Sequence, residues 1–206
     1  MRKIIEQKVS NGYSLDLGKL IDESFATFKK TFLIAGLGLI IVSVVVLLIY
    51  ILFLGTFFGF SNFTETMTSL ESLATDKTFI IGNAVVSMFF SALFAPTTAG
   101  FIHLNHLSAT KKEFSFSNLF DFYKGYFFKQ LFLSYLIIGF TTAVITSVLT
   151  LLGFEFFNSV VQIFIGLFTV FTVPLIIYGE QNYLEAITKS VQLFFKQPFI
   201  IIIALI

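Results

Sequence analysis

Between Phe32 and Phe60 the chain carries no charged residue. An α-helix rises about 1.5 Å per residue, so roughly 20 predominantly apolar residues cross a hydrocarbon core about 30 Å thick. Three further stretches reach that length: about Phe79 to Leu104, Leu131 to Phe154, and Phe156 to Tyr178. A fifth apolar run opens at Phe199 and stops at Ile206, which as helix covers only about 12 Å. The expected fold is therefore an all-α integral membrane protein with four complete transmembrane helices and a truncated fifth. On this pattern the chain reads as a fragment of a six-span protein. Composition agrees: of 206 residues, 56% are hydrophobic and only 12% charged. Soluble domains hold about 25% charged residues, so too little polar surface is present to cover a soluble globule or to keep the chain disordered.

Charge sets the expected orientation. All 13 basic residues except Lys77 fall on one side of the spans. Basic loops stay cytoplasmic, so the N-terminus and the long polar connections belong in the cytoplasm, in a bacterial inner membrane. The opposite side holds Ser61 to Thr78 and the tight Gly153-Phe154-Glu155 turn. The first span is too long for a signal-peptide core, so no cleaved signal is expected. A net charge of +1 argues against nucleic acid, and the absence of cysteine removes disulfides, thiolate metal sites and cysteine nucleophiles.

One short pattern occurs three times. Phe28-Lys29-Lys30-Thr31-Phe32, Phe128-Lys129-Gln130-Leu131-Phe132 and Phe195-Lys196-Gln197-Pro198-Phe199 each open an odd-numbered span. Each follows an amphipathic stretch, which predicts elbow helices lying in the cytoplasmic interface before spans 1, 3 and 5. The repeat units cover about 15–104, 117–178 and 182–206 within a single transmembrane domain. In the third elbow, Tyr183, Leu184, Ile187, Val191, Phe194 and Phe195 share one face, and Asn182 with Glu185 reads as a helix cap. Pro198 disfavours helix at Gln197, where the chain should turn. Lys29, Lys30, Lys129, Lys189 and Lys196 are the candidate contacts to anionic lipid headgroups.

Chemistry inside the spans is sparse. No span interior carries Asp, Glu, Lys or Arg, which argues against a proton-coupled pump. Polar span residues are Ser, Thr, Asn and Gln, including Asn83, Thr142, Asn158 and Gln162, and they suit hydrogen bonds between helices. Gly55 and Gly59 form a GxxxG spacing, which in a glycine-containing chain like this one is chance. Pro96 and Pro174, one in each inward span, are candidate helix kinks. His103 and His106 lie one turn apart at the cytoplasmic end of the second span. Two histidines fall short of a four-ligand structural metal site, and interfacial hydrogen bonding to headgroups or Asn105 is the better reading. No catalytic constellation, cofactor-binding motif or phosphate loop is present, and no cofactor is expected.

The residues Pro174-Leu175-Ile176-Ile177-Tyr178-Gly179-Glu180, Leu184 to Ser190, and Phe194 to Phe199 resemble a class of bacterial polytopic membrane proteins. That class includes the membrane domain fused to some glycerophosphodiester phosphodiesterases. The shared pattern is a span ending in Pro, an acidic residue, an Ala-x-x-x-Ser elbow (here Ala186 and Ser190), then an aromatic-rich span. The resemblance implies six spans and a membrane domain without catalysis of its own. The phosphodiesterase activity does not transfer, because no soluble α/β region exists here to hold it.

The functional expectation is a non-enzymatic membrane scaffold or accessory subunit, with elbows on the cytoplasmic leaflet and a membrane-protein partner or a second copy as its associate. The alternative is a transporter or channel component built from helical-hairpin repeats. A third possibility, a metal-dependent intramembrane enzyme, would use His103 and His106.

Overall fold

The computed structural model describes residues 2–58 and 77–205. These residues form helices and connecting turns, with no strand among them. The order is α1 (Arg2–Asn11), α2 (Leu17–Phe58), α3 (Lys77–Ala109), a 3-10 helix (Phe116–Tyr123), α4 (Gly125–Leu151), α5 (Phe157–Thr169), α6 (Thr172–Ile177), α7 (Tyr183–Lys196) and α8 (Pro198–Leu205). Four segments are long and apolar enough to cross a membrane: Leu17–Leu52, Ala84–Ala109, Gly125–Leu151 and Phe157–Ile177. This is the architecture of a multi-pass membrane protein. Gly59 to Asp76, with most of the first expected outer connection, lie outside the described residues.

α3 is the central element and packs against α2, the 3-10 helix, α4 and α6. The core sits at one end of the bundle, where α2 and α4 begin and α3 and α6 finish. Ala95, Ala99, Phe122, Leu131, Val173, Ile176, Ala186 and Leu193 form its buried cluster. Lys29, Lys30, Lys111, Lys112, Lys124, Lys129, Lys189 and Lys196 belong to the same end, called here the basic end. Away from it the helices present bare apolar side chains, and the first span is only 6% buried by protein. Leu33, Leu37, Ile40, Val44, Leu47 and Leu48 are all exposed along it. Acyl chains are as apolar as leucine, so such a surface is stable in lipid and not in water.

Local chemistry explains where helices start and stop. Asp16 caps α2 by accepting from Lys19 N at 3.1 Å. α4 ends in a Schellman turn: Phe154 N donates to Leu149 O, Gly153 N donates to Thr150 O, and Gly153 has a φ of +79°. That turn is the second expected outer connection, and Asn158 ties it by donating from Nδ2 to Thr150 Oγ1 at 3.1 Å.

Leu119 in the 3-10 helix is fully buried between α2 and α3. It fits because both helices present glycine there. A methyl at Gly38 would meet the Leu119 side-chain tip, and one at Gly100 would land on the Leu119 backbone carbonyl.

The expected elbows divide three ways. The first is not a separate helix: Leu17 to Phe28 forms the opening turns of α2, which runs unbroken for 42 residues. Lys29-Lys30-Thr31 contains no breaker, and Thr31 Oγ1 donates back to Thr27 O in helical register. The second elbow, expected over Asn118 to Gln130, is a 3-10 helix that stops at extended Lys124. The chain restarts at Gly125, whose φ of +62° supplies the break, so Lys129 and Gln130 already belong to the spanning helix. Only the third, α7, is a separate α-helix, and it meets α8 at a 99° bend. The bend falls at Gln197, immediately before Pro198.

The two prolines also differ. α3 continues as helix through Pro96. The fourth span is interrupted at Val170–Phe171, between α5 and α6. Pro174 has no N–H for the Val170 carbonyl and its ring crowds that oxygen, which places the break one turn upstream.

Candidate functional site

Most of the polar side chains that join different elements lie at the basic end. Thr31 on α2 meets Asn105 on α3, with its Oγ1 3.0 Å from Asn105 Oδ1. The hydroxyls of Thr97 on α3 and Tyr123 on the 3-10 helix share a hydrogen bond of 2.6 Å. Gln130 on α4 is buried and accepts the Tyr183 backbone N–H at 2.9 Å, which anchors the start of α7. Asn182 caps the same helix by accepting from Glu185 N at 2.9 Å.

His103 lies within this layer. Its Nδ1 shares a hydrogen bond of 3.2 Å with the Tyr178 hydroxyl, and its Nε2 lies 3.9 Å from Asp121 Oδ2. Asp121 also accepts from Asn118 Nδ2 at 2.8 Å. The His106 ring packs against the Tyr178 ring at a tilt of 45°, with centroids 4.5 Å apart. Both histidines thus contact one tyrosine at the end of the fourth span, His103 at its hydroxyl and His106 at its ring. No group of three or more His, Asp or Glu side chains placed to hold a metal ion occurs among the described residues. Asn105, expected to bond a histidine, bonds Thr31 instead.

Ser190, fully buried on α7, bridges the break in the fourth span. Its Oγ donates to Phe168 O at 2.7 Å and accepts from Phe171 N at 3.1 Å. One hydroxyl therefore satisfies a carbonyl above the break and an amide below it. Ala186, one turn earlier and also fully buried, lets the helices approach this closely.

α1 docks along α7 from the far end of the chain. The Tyr13 hydroxyl donates to Leu193 O at 3.1 Å, and Gln197 Nε2 donates to Tyr13 O. Lys196 Nζ donates to Ser10 O at 3.2 Å, and Lys189 Nζ lies 4.0 Å from Glu6 Oε1. Ile5, Val9 and Tyr13 pack against the core. Burial pushes the Tyr13 phenol up from its ordinary value, which keeps its O–H a donor. This contact lies beyond the sequence-based expectations. The spacing of Ile5, Val9 and Tyr13, four residues apart, is the signal that could have found it. Gly12, with a φ of +82°, ends α1 and donates to Lys8 O.

The five lysines expected at headgroups fall into two groups. Lys29, Lys30 and Lys129 are exposed and make no hydrogen bond or ion pair among the described residues. Lys189 and Lys196 are held by α1, and the Lys189 side chain is only 18% exposed. Of the two prolines, Pro174 belongs to the interrupted span that Ser190 bridges, and Pro96 is buried in α3.

No family model, no curated protein and no solved structure matches this chain. None of these comparisons links the chain to phosphodiesterase-linked membrane domains.

Proposed function

We propose that the chain is a non-enzymatic membrane protein, a scaffold or accessory subunit whose basic end lies in the anionic headgroup layer. One observation carries this reading. Lys29, Lys30 and Lys129 are exposed at the basic end beside the exposed rings of Phe25, Phe28, Phe32 and Tyr126. Lysine beside exposed aromatic rings is the chemistry of a headgroup-level anchor, with the rings at the acyl boundary and the ammonium groups among phosphates. Each such lysine contributes about 1 kcal/mol of attraction to an anionic leaflet. Replacing all three by glutamine should lower retention of phosphatidylglycerol by the purified protein by about tenfold or more. Native mass spectrometry of the lipid-bound species measures this, and unchanged retention removes the reading. Orientation in a cytoplasmic membrane follows the charge bias and belongs to the same proposal.

A second reading, a transporter or channel component, is favoured by the interrupted fourth span. Broken helices at membrane depth are where transporters place substrate and ion sites. Solute flux in proteoliposomes that depends on Ser190 would support it. Flux indifferent to Ser190 and Pro174 would remove its motivation.

A further inference from the structure

α1 lies over the basic face of α7, covering Lys189 and drawing the exposed Lys196 onto its last turn. Lys189, Leu193, Lys196 and Gln197 lie on one helical face, and each meets α1 or the residues just after it through Glu6, Ser10 or Tyr13. Both lysines are satisfied by oxygen acceptors, a carboxylate and a backbone carbonyl. These are the acceptor types that a lipid phosphate replaces.

We propose that this face of α7 is a latent surface for anionic lipid headgroups, and that an anionic bilayer displaces α1 from it. The inference rests on the reading that the basic end lies in the headgroup layer. The charged contacts that hold α1 are of the exchangeable kind. Glu6 is 58% exposed and its oxygen is 4.0 Å from Lys189 Nζ, so water and salt screen the pair. Lys196 donates to a neutral carbonyl, whereas a phosphate oxygen would add the attraction of a full negative charge and a shorter bond.

The displaced helix also has somewhere to go. α1 carries exposed Lys3 and Lys8, with Ile4, Ile5 and Val9 among its apolar residues. A short basic helix with an apolar side partitions into an anionic interface. Gly12 to Asp16 joins it to α2 without helical structure, so α1 can leave without unwinding a span. An anionic surface then attracts the lysines of α7 and those of α1 separately, and favours the open arrangement over the docked one.

The chain has no cysteine, so spin labels can be placed by two substitutions alone. Gln7 and Gln192 are exposed, on α1 and α7 respectively, and suit Q7C and Q192C. The labelled full chain is reconstituted in nanodiscs of phosphatidylcholine with increasing phosphatidylglycerol. The expected result is a single short distance in phosphatidylcholine and a longer population that grows with phosphatidylglycerol. E6Q should reach half-release at about threefold less phosphatidylglycerol. K189Q/K196Q should weaken the dependence on anionic lipid, leaving only the pull on Lys3 and Lys8 of α1. Free inorganic phosphate added to phosphatidylcholine discs should leave the distance short. A distance that stays short at every lipid composition in both the parent chain and E6Q overturns the proposal. So does release that persists undiminished in K189Q/K196Q, and release by free phosphate alone overturns the assignment to a lipid surface. Lipid retention through Lys29, Lys30 and Lys129 is a separate measurement. If it holds while the label distance never changes, the latent surface fails and the anchor reading stands.

Discussion

Replacing Gly100 by alanine should destabilise the fold by about 2–3 kcal/mol, near the upper end for an inserted methyl. The reason lies in what the methyl meets. At Gly100 it meets the carbonyl oxygen, carbonyl carbon and Cα of Leu119, which no change of rotamer can move aside. Relief requires the 3-10 helix to back away from α3, and Leu119, fully buried, would lose its seat. Gly38 faces the tip of the same leucine side chain, so Gly38→Ala should cost less, about 1 kcal/mol. Gly36 sits on α2, where an added methyl would find no neighbour within 4 Å, so Gly36→Ala should gain up to about 1 kcal/mol from helix propensity. Denaturation in mixed micelles containing sodium dodecyl sulfate, followed by far-ultraviolet circular dichroism, ranks the three variants. If Gly100→Ala and Gly36→Ala unfold at the same midpoint, Leu119 is not wedged between the helices.

The spans are legible in the sequence because their signal is long and redundant. A charge-free run such as Phe32 to Phe60 admits few alternatives once its length matches a bilayer. The elbows are less legible, because the repeated Phe-Lys pattern describes a surface and says nothing about a break. Three stretches share the lysine, but only the third contains Pro198, and only there does α-helix meet α-helix at a sharp bend. The first has no breaker and runs straight into α2. In the second, Gly125 sets the break upstream of Lys129. Helix boundaries follow the residues that cannot continue a helix, and those are the residues to weigh.

Much of the candidate site is hidden for a different reason. Lys189 and Glu6, or Tyr13 and Leu193, are neighbours only after the chain has crossed and returned through its spans. No local pattern encodes such a pairing. Type and side of the lysines can be read from sequence, but not their division by environment. Lys29, Lys30 and Lys129 are exposed, whereas Lys189 and Lys196 have acceptors within the chain. In sequence, Ser190 is a small residue permitting close contact. Its hydroxyl chemistry emerges only because the fourth span is broken opposite it.

Ser190→Ala should cost about 2–4 kcal/mol, a large effect for the loss of one oxygen atom. In an intact helix, Phe168 O would accept from Thr172 N and Phe171 N would donate to Leu167 O. The break at Val170–Phe171 strands both groups, and Ser190 Oγ serves each of them. Alanine leaves a carbonyl and an amide unpaired in a place where the protein excludes solvent, at roughly 1–3 kcal/mol for each. Thr169 is the matched control. Its hydroxyl donates within its own helix to Ile165 O at 2.7 Å, so Thr169→Val removes a hydroxyl without stranding a backbone group. That variant should stay within about 1 kcal/mol of the parent. Hydrogen exchange followed by mass spectrometry separates local from global effects. The peptide containing Phe171 should exchange faster in Ser190→Ala than in Thr169→Val when both are compared at equal global stability. Equal protection in the two variants would mean that the hydroxyl does not hold the break. Because Ser190 belongs to α7, its loss also removes one tie between that helix and the fourth span, leaving the Phe168 ring against Phe194 and Phe195.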